Sequence, residues 1–383
     1  MFYDETVMLI TKETVMKKIL LIGVASQNYL NFKQSFIKFL QKNECEIYVI
    51  AFDDLYATEI ESWGCKFFCV KGNNRSLNLF AFMSLKRKYK RIIREVNPDI
   101  VMTFMLKPNV FGVKAANELG VPKIYALVEG AGDVFIQETL KWKVIRIIVC
   151  ALYKRSFPRC EKIIFSNMDD KEEFVMRRLC REAQCVVVSE PGVDLQYFSY
   201  KPIKNSRVFL MIARMLKTKG VLEYCQAAKE VKRTYPDAIF YYIGPEGTLT
   251  TADIQEYISQ EIVQYLGVQR DVRPYIEETT VNVLPSYREG LGMVNLESAA
   301  IGRMSITCNT NGTKDTVVDG YNGFLIPVGN SEKLAEKMIW CIEHPDEVII
   351  MGKNARRFCE ENFCVEKINR KLFDIIMQRN NWE

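Results

Sequence analysis

Short apolar runs alternate with longer amphipathic segments along the chain. The runs are four to seven residues long and rich in β-branched residues, a pattern typical of strands buried on both faces of a parallel sheet. In the first half they lie at residues 18–24, 46–52, 65–70, 99–104, 123–128, 162–165 and 186–189. Helical spacing of apolar residues separates them, for example over 32–40, 84–96 and 110–119. Strands that alternate with helices predict a doubly wound α/β domain.

The same alternation starts again in the second half. Apolar runs lie at 207–213, 238–243, 281–284, 305–308 and 324–327, with helical segments at 219–235 and 331–344. We therefore predict two Rossmann-like doubly wound domains, one over residues 1–199 and one over 200–364, followed by a helix within 365–383. Residues 1–15 are polar and irregular and precede Met16, so we expect them to be an upstream extension.

Composition narrows the classes of function. The 383 residues carry a net charge of +5, too small by itself to indicate a nucleic-acid partner. The 12 cysteines are scattered and include no Cys-x-x-Cys pair, which favours reduced thiols in the cytoplasm over disulfides or zinc. A single histidine disfavours a His-based triad or a multi-His metal site. No apolar run reaches the ~18 residues that a membrane-spanning helix needs.

The candidate chemistry concentrates between residues 284 and 323. Two carboxylates, Glu289 and Glu297, flank the turn Gly290-Leu291-Gly292, which leads into an apolar helical pattern. Backbone amides at such a helix N-terminus point forward and carry about half a positive charge, which suits an anion such as phosphate. The amides concerned belong to Gly292, Met293 and Val294.

Two cations precede this segment in the chain. Arg214 follows a predicted strand and Lys219 begins the next helix, so both side chains can reach one anion. Arg offers a planar fork to a diphosphate and Lys a point charge. Gly244 follows the next strand, and we assign it to the same site. Without the downstream segment, two solvated cations on a loop would be the simpler interpretation.

The segment from 284 to 323 resembles the donor-binding motif of the family 4 retaining glycosyltransferases. That motif has two glutamates eight positions apart after a Pro-Ser-x-x-Glu-Gly turn. The matching residues are Pro285, Ser286, Glu289, Gly290, Glu297, Ala300 and Gly302, followed by Gly312, Val318, Asp319, Gly320, Asn322, Gly323 and Leu325. Gly292 and Met304 depart from the motif, since the family usually has Pro at both positions. The resemblance implies the GT-B fold, in which two doubly wound domains face each other and the last helix crosses back to the first.

The resemblance also implies roles for the site residues. Arg214 and Lys219 would hold the donor diphosphate together with the loop amides, and Glu297 would bind the ribose hydroxyls. Glu289 would face the transferred sugar as the catalytic carboxylate, either stabilising charge or positioning the sugar. The cations and amides can replace a divalent metal, so we expect no metal and no cofactor beyond a nucleotide sugar, with UDP as the expected nucleotide.

Two segments of the first half resemble a subgroup of that family, which adds an N-acetylhexosamine or a related sugar to an undecaprenyl-diphosphate-linked saccharide. The matching residues are Lys107, Pro108, Asn109, Gly130, Gly132 and Phe135. Met102 stands where the subgroup usually has His, and Asp133 where an aromatic residue is common. The resemblance implies an acceptor site that contains Lys107, Asn109, Gly130 and Gly132. A surface lysine without a partner is the alternative interpretation of Lys107.

Residues 139–160 form a basic segment with a large apolar content. It has six basic residues and no acidic one, interleaved with aromatic and aliphatic side chains. A helix of this kind can lie in a membrane interface. A core-packing helix with a solvated charged side is the alternative. Asp169 and Asp170 follow soon after at the head of a predicted helix, and we interpret both as structural.

We therefore expect a metal-independent retaining glycosyltransferase. It would move a hexose or N-acetylhexosamine from a UDP-sugar to a lipid-linked saccharide, in bacterial surface polysaccharide or glycan synthesis, as a peripheral protein at the cytoplasmic face of the membrane. One alternative is a nucleotide-sugar 2-epimerase, which the single His344 disfavours. Another is a non-catalytic nucleotide-sugar-binding partner of a polysaccharide assembly, which the presence of Arg214, Lys219, Glu289 and Glu297 disfavours.

Overall fold

The computed structural model describes residues 16–72, 79–135, 139–204 and 207–379. Within these ranges the chain forms two parallel sheets, one of seven and one of six strands. Helices cover the faces of each sheet, so most strand residues are buried on both sides. The upstream extension expected at 1–15 lies outside the described residues.

The first sheet has the order β3-β2-β1-β4-β5-β6-β7 with every pair parallel. Its strands are β1 (Lys17–Ile22), β2 (Cys45–Ala51), β3 (Lys66–Cys69), β4 (Ile100–Phe104), β5 (Lys123–Val128), β6 (Lys162–Phe165) and β7 (Cys185–Val187). Its helices are α1 (Ser26–Phe32), α2 (Gln34–Lys42), α3 (Ala57–Ser62), α4 (Leu79–Val96), α5 (Val113–Glu118), α6 (Leu140–Ser156) and α7 (Met168–Met176). The strand order reverses between β1 and β4, which is where open α/β sheets bind ligands.

The second sheet has the order β10-β9-β8-β11-β12-β13, again all parallel. Its strands are β8 (Val208–Ile212), β9 (Ile239–Ile243), β10 (Gln264–Tyr265), β11 (Val281–Leu284), β12 (Met304–Cys308) and β13 (Gly323–Ile326). The helices that follow β8 are α8 (Val221–Thr234), α9 (Gln255–Ser259), α10 (Arg273–Glu278), α11 (Met293–Ile301), α12 (Ser331–Glu343), α13 (Pro345–Asn362) and α14 (Val365–Met377). The corresponding reversal lies between β8 and β11.

Two details differ from the predicted elements. The helix expected over 32–40 begins at Gln34 as α2, after a break at Lys33 that separates it from α1. The helix expected over 110–119 starts as one wide π-helical turn, Pro108–Gly112, before it continues as α5. Both irregularities lie beside polar side chains that project from the first sheet, as described below.

The chain crosses between the domains at two adjacent points. After β7 it passes through Val193, and after α13 it returns through Phe363 to Val365. The two segments are hydrogen-bonded to each other, from Val193 N to Phe363 O (2.7 Å) and from Val365 N to Val193 O (3.0 Å). Helix α14 then packs against α2 of the first domain, and the Tyr125 hydroxyl of β5 donates to the Ile376 carbonyl at 3.0 Å.

A fully buried arginine secures the second domain near the crossing. The Arg303 guanidinium donates to the carbonyls of Lys201 (2.6 Å), Glu277 (2.7 Å), Thr279 (2.7 Å) and Ile301 (3.1 Å). Burial lowers the pKa of this group to about 10, so it stays charged at neutral pH. Its positive charge is balanced by carbonyl dipoles at the ends of α10 and α11.

Candidate functional site

A cleft of about 390 Å³ lies between the carboxyl ends of the two sheets; we call it the central cleft. The first domain contributes Asn28, Phe32, Met105, Glu129, Glu190 and Pro191 to its wall. The second domain contributes Ile212, Ala213, Arg214, Lys219, Leu284 and the segment from Glu289 to Val294. The structure therefore brings the predicted donor residues Arg214, Lys219 and 289–294 together in one place.

The N-terminus of α11 opens into this cleft. Gly292 precedes the helix in the left-handed conformation (φ 60°), which glycine adopts at little cost. No side chain caps the helix, and its first turn has no acidic residue. The amides of the first turn cannot bond within the helix, so those of Met293 and Val294 are available to an anion in the cleft.

Glu289 is held in a fixed position beside the helix N-terminus. Its carboxylate accepts hydrogen bonds from the Lys219 ammonium and from Ser286 Oγ, the latter at 2.7 Å. Its backbone amide donates to the Asn311 carbonyl at 3.0 Å. The neighbouring Arg288 does not pair with Glu289, since its guanidinium binds Asp170 and Glu173.

Arg214 and Lys219 lie on the same wall of the cleft. Arg214 is exposed directly after β8, and Gly244, at the end of β9, packs against the preceding Ala213 carbonyl so closely that a Cβ would clash. Lys219 is half-buried and uses one of its three donors on Glu289. The two cations and the α11 amides thus surround one volume that could hold a diphosphate.

Glu297 lies one helical turn further along α11 and faces a neighbouring cleft of about 520 Å³, which we call the side cleft. The two clefts share Phe32, Pro191, Ile212 and Met293, so they are continuous. Burial raises the pKa of the Glu297 carboxyl to about 7. Ionising the Glu297 carboxyl costs energy when no partner is present. Hydroxyl donors that approach it would stabilise the ionised form, which suits a site that binds hydroxyl groups.

The side cleft extends the site beyond the predicted residues. It is also lined by Arg270 and Asp271, which lie on the loop between β10 and α10. Sequence reasoning missed this loop, because β10 is only two residues long and leaves no apolar run to mark it.

The two predicted acceptor residues on the 107–109 segment do not line either cleft. Asn109 is buried: its Oδ1 accepts from Thr103 Oγ1 at 2.7 Å and its amide donates to the Leu127 carbonyl at 2.8 Å. We therefore correct its assignment, since its polar atoms join β4 to β5. Lys107 is buried too, against the apolar side of α6, and burial lowers the pKa of its ammonium. The surface-lysine alternative is also wrong.

The predicted glycine loop contacts residues 288–292 across the cleft; we call these residues the donor loop, after their predicted role. Gly290 lies against the Glu129 carbonyl so closely that a Cβ would clash, and a Cβ on Gly130 would lie 3.3 Å from the Gly290 Cα. Gly132 follows in a left-handed conformation (φ 76°) with open space around it. Gly130 therefore places the acceptor-side loop in contact with the residue that follows Glu289.

Helix α7 clamps the donor loop from the first domain. Arg288 donates to Asp170 and, at 2.8 Å, to Glu173. The Asn167 amide donates to the Gly290 carbonyl at 2.8 Å, and Lys314 pairs with Asp169 at 2.7 Å. Asp169 and Asp170 thus link the two domains, a role that their position at a helix start could not reveal.

Comparison with known proteins gives the family. The family model "Glycosyl transferases group 1" matches residues 194–358, and "Glycosyl transferase 4-like" matches residues 18–167. The chain is 26% identical over 371 residues to a Campylobacter jejuni N,N'-diacetylbacillosaminyl-diphospho-undecaprenol alpha-1,3-N-acetylgalactosaminyltransferase, covering 92% of this chain and 97% of that one. It is 26% identical to an Escherichia coli UDP-Gal:alpha-D-GlcNAc-diphosphoundecaprenol alpha-1,3-galactosyltransferase, covering 79% and 81%.

Solved structures give the fold. A Rickettsia africae glycosyltransferase has a TM-score of 0.76 at 20% identity, covering 96% of this chain and all of that one (100%). An Anabaena protein in complex with UDP and glucose has a TM-score of 0.77 at 18% identity, covering 94% and 100%. The predicted GT-B fold is confirmed, and these findings give no support to the epimerase alternative. The chain belongs to the glycosyltransferases, as a GT-B enzyme of the family 4 type that the motif around Glu289 and Glu297 had indicated.

Proposed function

We propose that this glycosyltransferase is a retaining, metal-independent enzyme that transfers a hexose or N-acetylhexosamine from a UDP-sugar to a lipid-diphosphate-linked saccharide. The observation that carries the proposal is the convergence of Arg214, Lys219 and the uncapped N-terminus of α11 beside Glu289. Positive charge and a carboxylate meet there at one end of a cleft that joins both domains.

The donor would lie across the two clefts. Its diphosphate fits beside Arg214, Lys219 and the amides of Met293 and Val294, while its ribose hydroxyls fit Glu297 in the side cleft. Lys219 keeps two donors free for phosphate while it holds Glu289. This arrangement directs the transferred sugar toward Glu289.

In the reaction the bond between the anomeric carbon and the diphosphate oxygen breaks as the acceptor hydroxyl oxygen attaches. Negative charge grows on the diphosphate, and fixed cations and amides stabilise it without a metal ion. The Glu289 carboxylate faces the anomeric centre, where positive charge develops, and stabilises it. Attack from the same face as the leaving group retains the configuration, and the acceptor proton passes to the departing diphosphate.

The acceptor assignment draws on the names of the relatives and on a surface beside Lys107. Both relatives named above are described as acting on saccharides joined to undecaprenol through a diphosphate. In this chain an apolar groove of about 80 Å³ runs between α6 and the Pro108–Gly112 turn. Met105 lines the central cleft and Lys107 lines this groove, so a lipid-linked sugar could extend from one to the other.

Helix α6 supports a position at the cytoplasmic membrane face. Leu140, Val144, Ile147 and Ile148 are exposed, and their spacing puts them on one side of the helix. Basic side chains flank that side, and the helix has no acidic residue. Apolar side chains with neighbouring cations bind anionic lipid surfaces. In the described ranges, none of the helices is long and apolar enough to cross a membrane.

The test is reconstitution with defined substrates. UDP-N-acetylgalactosamine and UDP-galactose are supplied with N-acetylglucosamine or diacetylbacillosamine linked through diphosphate to a short polyprenol. We expect UDP release and an α-linked product by NMR, undiminished by EDTA, and none from Glu289→Gln. A β-linked product, or dependence on an added divalent ion, would contradict the proposed mechanism. No product from any combination would contradict the proposed substrates.

A further inference from the structure

A buried lysine joins two carboxylates on the first-domain wall of the central cleft. The Lys33 side chain is 3% exposed, and its ammonium lies 2.7 Å from Glu129 Oε1 and also binds Glu190. It lies over the Phe104 ring, 4.7 Å from the centroid. Lys33 comes from the break between α1 and α2, Glu129 from the end of β5, and Glu190 from the segment after β7. We call these three residues the Lys33 cluster.

The two carboxylates of the Lys33 cluster can accept more hydrogen bonds than Lys33 donates to them. Two carboxylates share one ammonium, so a negative charge is in excess when both are ionised. Glu190 is 2% exposed, yet its Oε2 has no hydrogen-bond partner within the part of the chain that the structure describes. Burial raises the pKa of the Glu190 carboxyl to about 7 even though Lys33 opposes this. A purely structural ion pair would be balanced and satisfied.

The cluster lies beside the reacting centre of the proposed function. Glu129 and Glu190 line the same cleft as Glu289, Lys219 and Arg214. The Glu129 backbone touches Gly290, the residue after Glu289. Both residues therefore belong to the wall where the donor and acceptor sugars must meet, with the Glu129 side chain partly exposed and that of Glu190 buried.

Charge decides which part of a substrate this wall accepts. A diphosphate would be repelled by Glu129 and Glu190, and the opposite wall already provides cations for it. A neutral sugar brings hydroxyl donors, which carboxylate oxygens accept. The donor sugar must stay within reach of Arg214, Lys219 and Glu289, so the first-domain wall is left for the acceptor.

We propose that Glu129 and Glu190 form the subsite that accepts hydrogen bonds from the hydroxyl groups of the acceptor sugar. Lys33 is its positioning residue, since it holds both carboxylates and does not itself line the central cleft. The inference rests on the proposed function and adds the residues that orient the attacking hydroxyl. A sugar without hydroxyls on that face would be a poor acceptor.

The experiment separates acceptor binding from donor binding. Steady-state transfer from UDP-N-acetylgalactosamine to the polyprenyl-diphosphate-linked probes is measured for wild type, Glu129→Gln and Glu190→Gln, and donor Kd by calorimetry. We expect the KM for the acceptor to rise about tenfold or more in both variants, while the donor Kd changes less than twofold. Glu59→Gln, an exposed carboxylate on α3, is the matched control and should leave both constants unchanged.

Two lysine variants test the positioning role. Lys33→Met should raise the KM for the acceptor as strongly as Glu129→Gln does, and Lys33→Arg should recover at least part of the loss. Thermal unfolding identifies any variant that fails to fold, and the two Gln variants then carry the test. An altered donor Kd with an unchanged KM for the acceptor would overturn the inference, as would unchanged constants in both Gln variants. A wild type without turnover overturns the proposed function, whereas an active wild type with unaffected variants overturns the subsite alone.

Discussion

Glu297 gives the sharpest test of the donor site, because its carboxyl has a raised pKa and is assigned to the ribose. Burial raises its pKa from 4.5 to about 7. At about 1.4 kcal/mol for each pH unit, ionising it costs the folded protein about 3 kcal/mol. The folded pKa lies above the unfolded one, so this cost is absent below about pH 4.5, grows between about pH 4.5 and 7 and is complete above about pH 7.

Donor affinity should follow the ionised fraction. With a pKa of about 7, about one carboxyl in eleven is ionised at pH 6 and about ten in eleven at pH 8. Ribose hydroxyls donate to the ionised form, so the affinity for a UDP-sugar should rise about tenfold between these pH values. The diphosphate of a UDP-sugar does not titrate in this range, which makes it a better probe than UDP.

The assay is calorimetry with UDP-N-acetylgalactosamine at pH 6, 7 and 8, paired with urea unfolding. We expect Glu297→Gln to bind weakly at every pH and to lose the tenfold rise. The same substitution removes the cost of ionisation, so the variant should be more stable than wild type by up to about 3 kcal/mol at pH 8 and nearly equal at about pH 4. A wild-type affinity that is flat with pH, or a variant that keeps the rise, would refute the reasoning.

Three further predictions concern catalysis, the fold and the membrane surface. Glu289→Gln should lower kcat, measured as UDP release, by about 100-fold or more without changing the unfolding temperature. A smaller loss would show that Glu289 does not stabilise the transition state. Arg303→Met leaves four carbonyls without their donor and should lower the free energy of unfolding in urea by about 3–5 kcal/mol, whereas exposed Arg233→Met on α8 should change it by less than ~0.5 kcal/mol. Ile147→Glu should reduce co-sedimentation with anionic vesicles several-fold. Ile350→Glu replaces another exposed isoleucine, on α13, and should leave co-sedimentation unchanged. Equal binding by the two variants would show that α6 does not contact lipid.

Most strands could be predicted because strands buried on both faces appear as unbroken apolar runs. KILLIGV at 18–24 and its counterparts carry this signal, and the structure places strands at each. The two-residue β10 and the short helices α9 and α10 carry none, since they are too short to show a period. The π-helical turn at Pro108–Gly112 also follows from packing rather than from local pattern.

The donor side of the site was accessible from sequence because its residues are nearly contiguous. Glu289, the glycine turn and Glu297 lie within nine positions and carry a recognisable motif. The first-domain wall of the cleft could not be predicted from the sequence, because Lys33, Glu129 and Glu190 are far apart in the chain and form no local pattern. The bond between Arg288 and Asp170 likewise spans 118 positions. The assignment of Asn109 to the acceptor site was wrong, because a matching motif does not say whether a side chain points into a cleft or into the interior of the domain.

The paired crossing at Val193 and Cys364 has a consequence for how substrates enter. Two adjacent segments that hydrogen-bond to each other resist twisting and sideways sliding more than a single linker does. We therefore expect relative motion of the domains to be a swing about an axis through that pair. Such a swing would separate Arg288 from Asp170, so we expect the enzyme to admit its substrates between α7 and the donor loop.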